Sequence, residues 1–381
     1  MGDELKRGLE GVLVAESELS CVDGEAGRLV YRGYDIEDLA RGASYEEVLY
    51  LLWHGSLPTA SEFDAFAADL AAERGVDDAV LAAVRRLADE DERPMAALRT
   101  GTSMLSASDP NATGADGADD TRRQGRRITA KVPTILAAFE RARRGEEPVA
   151  PDPELSHAGN FLYMLTGTEP DAVSEETFDM ALTLHADHGL NASTFTAMVI
   201  GSTMADVYSA VTGGIGALSG SLHGGANQDV MEMLYDIDAS GRDPVEWVKA
   251  ARAEGRRIPG FGHRVYEVKD PRAAILESKL RDLTDVSGDT TWLDYTTAIE
   301  DHLADEGLLT QGIAPNVDFY SGSVYDSLGI PIDMYTPIFA MSRAAGWIAH
   351  VAEYQSDNRL IRPRARYVGP DDAAFVPVDE R

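Results

Sequence analysis

Along most of this chain apolar residues recur at three- and four-residue intervals, the spacing that lines one face of an α-helix. In "SEFDAFAADLAAERG", residues 61 to 75, the pattern runs from a Ser cap to a Gly stop, and "ITAKVPTILAAFERARRG", 128 to 145, ends the same way. "SEETFDMALTLHADHGLNAST", 174 to 194, opens on Ser174 and two glutamates, puts Phe178, Ala181, Leu182 and His185 on one face, and stops at Gly189. Residues 338 to 354 predict a helix with the apolar stripe Ile338, Met341, Ala345, Ile348 and Ala352, while Arg343, Trp347, His350 and Tyr354 point elsewhere. Period-two alternation is scarce. "GVLVAESELSCVDGEAGRLVYRGYD" supports one short hairpin turning at Asp23-Gly24. The fold class expected is all-α, mainly helical.

Two stretches break the helical pattern. "SDPNATGADGADD", 108 to 120, is rich in turn formers and acid and reads as a surface loop. "VTGGIGALSGSLHGGANQDV", 211 to 230, concentrates glycine around His223, marking a place where backbone bends or approaches something closely. It holds neither a complete G-x-G-x-x-G nor a P-loop lysine, so it is not read as a nucleotide loop.

At 381 residues, 44% of them hydrophobic, the chain can bury two domains or one large core with an added lobe, and disorder is excluded. No apolar run approaches the roughly 20 residues that cross a bilayer, and "MGDELKRGLEG" lacks the features of a leader, so a cytoplasmic location is expected. Cys21 is the only cysteine, which leaves neither an intrachain disulfide nor a thiolate-rich metal site. The net charge of −31 makes nucleic acid a poor partner. Five of the 34 basic residues are lysines and the rest arginines, and this acidic, lysine-poor composition suits a cytoplasm rich in salt. Activity is expected to need molar salt.

The candidate chemistry lies in five segments. His185 reads as a buried, hydrogen-bonded histidine. His188, in the expected last helical turn, is a carboxylate binder, since the carbonyl end of a helix favours imidazolium. No further His/Glu cluster completes a zinc signature around this pair, so no metal is expected. His223 precedes a helix start, where imidazolium is disfavoured, and a neutral histidine there can donate to a carbonyl becoming an enolate. In "RRIPGFGHRVYEVKDPR", Gly260 and Gly262 permit close approach, His263 can polarise a carbonyl, Asp270 and Pro271 open a helix, and Arg272 can grip a carboxylate with its planar fork. Asp318, set among apolar and aromatic residues in "APNVDFYSGSVYDSLG", is either a base or a helix cap.

Taken in order, "GLEGVLVAES", "YLLWHGSLPT", "LHADHGLNAST", "LHGGANQDV", "PGFGHRVYEVKDPR", "NVDFYSG" and "RPRARYVG" resemble citrate synthase over nearly the whole chain. The resemblance implies a mostly helical homodimer, with residues 1–224 and 331–381 as a large domain and 225–330 as a small one that closes over substrate. It implies condensation of acetyl-CoA with oxaloacetate and water to citrate and CoA. By the same resemblance His223 bonds the thioester carbonyl, Asp318 removes the methyl proton, and His263 polarises the ketone. His188, Arg272 and Arg343 hold the carboxylates, with Arg362 reaching in from the other subunit. Coenzyme A lies against Pro259, Gly260, Phe261 and Gly262. Acetyl-CoA is a substrate, so no cofactor is expected, and neither nucleic acid nor membrane is a partner.

Two departures bear on the coenzyme. Glu267 stands where relatives commonly have a basic residue, and "TQGIAPNVD" lacks a lysine often found before that motif; Lys269 or an arginine elsewhere is the expected substitute. The neighbouring possibility is 2-methylcitrate synthase, which uses propionyl-CoA with the same constellation, because one methylene changes selectivity only about 10 to 200-fold. A non-catalytic acidic scaffold is the possibility of another class, and the presence of His223, His263 and Asp318 together argues against it.

Overall fold

Sixteen α-helices and one three-stranded antiparallel sheet account for most of residues 5 to 112 and 117 to 381, the part of the chain that the computed structural model describes. The all-α expectation holds. Among these residues no helix is long and apolar enough to cross a membrane.

The helix Tyr335–Ser356 runs through the centre, packed against Ala118–Arg143, Ala192–Gly201, Val207–Leu218 and Tyr45–His54. Its expected stripe is buried, but so are Arg343, Trp347 and His350. A helix surrounded on all sides has no polar face to give to water. Trp347 fits because residue 214 is glycine: a Cβ there would sit 2.9 Å from the indole. The glycine-rich run is therefore helical through Gly213, Gly214 and Gly216, and its close approach is helix against helix.

Helix ends differ from expectation where capping is set by neighbours the pattern does not show. The first run is the helix Ala60–Ala72, with the Glu62 carboxylate accepting from the Thr59 backbone N–H at 2.8 Å, so Thr59 rather than Ser61 marks its start. Ala118–Arg143 begins ten residues before 128, carries Pro133 inside, and gives way to Gly145 in the left-handed region. Ala172–His185 is capped by Asp171, which accepts from the Val173 and Ser174 N–H groups. It ends at His185, so His188 lies beyond the helix rather than in its last turn.

The hairpin forms between Ser20–Asp23 and Arg28–Tyr31, with Cys21 opposite Val30, and a third strand, Tyr34–Asp35, joins it. Its turn is longer than the Asp23-Gly24 reading, spanning 24–27, with Asp23 Oδ1 accepting from the Ala26 N–H. Of the expected loop 108 to 120, residues 113–116 lie outside the described part. Asp109 is not at the surface: it is buried, accepting from the Tyr208 hydroxyl and from Arg123.

Within 225–330, the helix Val317–Ser327 packs between Ala226–Ser240 and Pro271–Ser287. Pro271–Ser287 also touches Ala172–His185, and both Ala172–His185 and Ala226–Ser240, which follows His223, touch the central helix.

Candidate active site

His263 lies in a loop sewn to the start of the helix Val317–Ser327. Phe261 pairs with Pro315 in an isolated antiparallel bridge. The Gly262 N–H donates to the Ala314 carbonyl (2.8 Å), the Asn316 N–H to the Gly260 carbonyl (2.9 Å), and the Asn316 amide to the Gly262 carbonyl (2.9 Å). Gly260 has φ +79, and a Cβ on it would lie 2.8 Å from the Phe319 side chain, so only glycine fits. The His263 ring is fixed too. Its Nδ1 accepts from the Val265 and Tyr266 N–H groups, both at 3.0 Å, which leaves the proton on Nε2. Loss of hydration, then the charge of Arg272, lowers its pKa to about 4, so the ring is a neutral N–H donor.

Asp318 occupies the first turn of that helix, and the cap is its neighbour: the Asn316 side chain accepts from the Asp318 N–H at 3.0 Å. Capping does not explain Asp318. Its half-buried carboxylate accepts no hydrogen bond from the described residues. Burial pushes its pKa up to about 6, with Arg272 and Arg343 pulling down and Asp270 and Asp229 pushing up. A carboxylate with free lone pairs and a pKa near neutrality has the properties of a general base.

His223 precedes the helix Ala226–Ser240, as expected. Its Nε2 accepts from the Ser193 N–H at 3.2 Å and lies 2.9 Å from Ser193 Oγ, so its own proton is on Nδ1. The Trp347 indole N–H donates to the same Oγ (3.1 Å), and Asn191, which caps the helix Ala192–Gly201, accepts from it (2.8 Å). Burial, then Arg343, lowers the His223 pKa to about 4, giving a second neutral donor.

The histidines 188 and 263 face each other with ring centroids 5.3 Å apart, and His188 Nε2 lies 3.3 Å from the Tyr266 hydroxyl. The turn bearing His188 is pinned by the buried Asp187, which accepts from the Ser20 hydroxyl, the Gly189 N–H (3.1 Å) and His350 Nε2 (3.1 Å). Expected as imidazolium, His188 is instead driven well below its ordinary pKa by burial and by Arg272, Arg343 and His263. Past the helix end it loses the carbonyl dipole and gains cationic neighbours.

Arg272 is buried and held bidentately by Asp270, Nε to Oδ1 at 3.0 Å and the second contact at 2.7 Å. Burial opposes its charge, and Asp270 more than offsets that. Arg343 is equally buried, donating from Nε to the His185 carbonyl (2.6 Å) and lying over the Phe339 ring. No carboxylate reaches it within ion-pair distance among the described residues, and burial lowers its pKa to about 10.

Of three further expectations, the buried and hydrogen-bonded His185 holds and two fare differently. His185 is a structural residue, its Nδ1 2.7 Å from the Ala181 carbonyl. Lys269 is not held out for a phosphate: its ammonium lies 2.8 Å from Glu277 and 2.7 Å from Glu300. Arg362 is exposed on the tail after the last long helix, and this chain alone does not bring it to the cluster. A separate surface cavity of about 700 Å³, lined by Glu16, Arg32, Trp53, Glu353 and others, contains none of the candidate residues. Ser193, Asp187 and Tyr266 were missed; only Asn191, placed to cap a helix, left a trace in the sequence.

The family model "Citrate synthase, C-terminal domain" matches residues 8–364. The chain belongs to the citrate synthase family. It is thus an acyltransferase that forms a carbon–carbon bond. It is 63% identical to the citrate synthase of Haloferax volcanii over 383 residues, covering 100% of both chains. It is 42% identical to a 2-methylcitrate synthase of Mycobacterium tuberculosis, covering 96% of this chain and 91% of that one. The ternary complex of carboxymethyl coenzyme A and oxaloacetate with citrate synthase from Thermoplasma acidophilum superposes with a TM-score of 0.90 at 34% identity, covering 99% of this chain and 100% of that one. Among the described residues no group of His, Cys, Asp and Glu is arranged to hold a metal ion.

Proposed function

We propose that this chain condenses acetyl-CoA with oxaloacetate and water to give citrate and CoA, the entry step of the citric acid cycle, in the cytoplasm and as a homodimer. The observation that carries the reading is the free carboxylate of Asp318, with a pKa near 6, which feels the same arginines, Arg272 and Arg343, as two histidines whose hydrogen bonds leave each with one N–H to donate.

Asp318 takes a proton from the thioester methyl, while Nδ1–H of His223 donates to the carbonyl oxygen on which negative charge develops. The enol carbon attacks the ketone carbon of oxaloacetate, and Nε2–H of His263 donates to the ketone oxygen as it becomes the alkoxide. Water then cleaves the citryl thioester, releasing CoA. Arg272, Arg343 and His188 orient the two carboxylates and neutralise their charge, so the bound pair meets in reactive geometry. The chemistry needs no cofactor beyond the two substrates. Residues 259–262 form the wall facing coenzyme A, whose phosphates fall to arginines rather than to Lys269. Closure of 225–330 over the remainder excludes water from the enol.

A dimer is supported by the tail beyond Ser356, which exposes Leu360, Tyr367, Val368 and Phe375 along a segment with no long element of its own. Such residues need a covering surface, and a second copy would also receive Arg362. Acetyl-CoA is preferred over propionyl-CoA on the higher identity to a citrate synthase than to a 2-methylcitrate synthase. Release of free thiol from each acyl-CoA in the presence of oxaloacetate tests both parts: no release with either ends the enzymatic reading, and faster release with propionyl-CoA reverses the substrate choice.

A further inference from the structure

Tyr266 touches both histidines assigned to oxaloacetate. Its backbone N–H donates to His263 Nδ1 at 3.0 Å, and its hydroxyl lies 3.3 Å from His188 Nε2. The side chain is 2% exposed, with its ring 4.8 Å from one imidazole and 5.6 Å from the other. Among the described residues the hydroxyl meets His188 and nothing else.

We infer that Tyr266 is a positioning residue whose hydroxyl selects the His188 tautomer with its proton on Nδ1. The inference rests on the reading of His188 as a ligand of a substrate carboxylate. A contact between imidazole and hydroxyl runs in either of two directions. If Nε2–H donates to the tyrosine oxygen, Nδ1 carries only a lone pair and repels an incoming carboxylate. If the O–H donates to Nε2, Nδ1 carries an N–H that the anion accepts. Protonating both nitrogens would add a charge beside Arg272 and Arg343, and those cations oppose it. Tyr266 thus acts on both rings: its N–H, together with that of Val265, holds His263 Nδ1 as an acceptor, and its hydroxyl sets the proton position of His188.

The backbone around Tyr266 is itself clamped. The Glu267 N–H donates to the Gly24 carbonyl at 3.0 Å, and a Cβ on residue 24 would lie 2.0 Å from the Val265 carbonyl oxygen. The hairpin turn thus holds 265–267 from one side, and the loop holding His263 is tied down from the other, which leaves the tyrosine little freedom to turn its hydroxyl away.

Tyr266→Phe deletes one oxygen and keeps both the ring and the backbone donor. The expected result is a KM for oxaloacetate raised roughly three- to ten-fold, the range of one hydrogen bond, with the KM for acetyl-CoA and kcat within about two-fold of wild type. In a His188→Gln background the same substitution is expected to change the oxaloacetate KM by less than about 1.5-fold, because the hydroxyl acts through that ring. A hydroxyl that acts by some route other than His188 would give the same effect in both backgrounds, and that result overturns the inference. So does an unchanged KM in Tyr266→Phe while His188→Gln raises it. If His188→Gln leaves the oxaloacetate KM at the wild-type value, the carboxylate-binding role of His188 fails first, and the inference falls with it.

Discussion

Arg272 and Arg343 are both 2% exposed, yet only Arg272 is met by a carboxylate. Asp270 grips it bidentately from the helix cap two residues away. Arg343 holds a carbonyl and an aromatic face, with Asp187 the negative charge that supports it most, beyond ion-pair distance. An unpaired buried cation costs stability unless something compensates it. In the proposed reaction that something is the substrate.

Oxaloacetate should therefore raise the melting temperature markedly, by the equivalent of about 2.7 kcal/mol at a hundred times its dissociation constant. In Arg343→Leu the ligand-induced shift should vanish and the oxaloacetate KM rise by about two orders of magnitude or more, while the ligand-free protein melts no lower than wild type. Differential scanning fluorimetry with and without oxaloacetate reads both. A normal shift in that variant removes Arg343 from the site.

Asp318 must be ionised to act as a base, so kcat/KM for acetyl-CoA should fall as pH drops through about 6, close to ten-fold per unit below it. Asp318→Asn should lower kcat by about 10²–10⁴-fold while oxaloacetate still binds. The stability effect runs the other way. The fold favours the neutral carboxyl, so its ionisation costs nothing below the ordinary carboxylate range and the full amount above pH 6. Asp318→Asn is neutral throughout; it should be more stable than wild type by about 1–2 kcal/mol at pH 8, after discounting a half-buried group, with the difference fading toward pH 4. Rate profiles and melts across pH 4 to 8 check all three.

Lys269 bridges Glu277 and Glu300, and Glu300 also accepts from the Tyr320 hydroxyl. Removing the ammonium leaves two partly buried carboxylates facing each other. Lys269→Ala should lose about 1–3 kcal/mol of stability with the KM for acetyl-CoA changed less than two-fold. Urea melts and initial rates separate the two effects, and a large rise in that KM would restore the lysine to the coenzyme.

A net charge of −31 repels itself over a Debye length of about 10 Å at 0.1 M salt and only about 3 Å at 1 M. Activity and melting temperature should both climb from dilute buffer to molar potassium chloride, by about 10 °C or more in the latter. Full activity and an unchanged melt in dilute buffer contradict this.

The sequence showed the groups of the proposed chemistry better than the groups that hold them. His223, His263 and Asp318 stand out beside glycine, helix starts or apolar neighbours, all local signals. Asp270 was legible as a cap because its partner is two residues on. Ser193 reaches His223 across 30 residues, Tyr266 reaches His188 across 78, and His350 reaches Asp187 across 163, distances over which no periodicity speaks. The stripe on residues 338 to 354 was right but incomplete, since a pattern scored against one neighbour does not register a helix walled in by several. His188 departs from the expected imidazolium because burial and the nearby arginines oppose its charge, and because the helix that would have favoured it ends at His185.

The pairing of Phe261 with Pro315 has a bearing on how this catalyst can change. It fuses the loop of His263 and the helix start bearing Asp318 into one prefabricated tile, whose internal spacing is set by main-chain bonds that side-chain substitution leaves alone. Selection for a bulkier acyl group has little purchase there. It would find more where Ser193 and Trp347 seat His223, since the contacts of the Ser193 hydroxyl and the Trp347 indole there are side-chain bonds open to substitution.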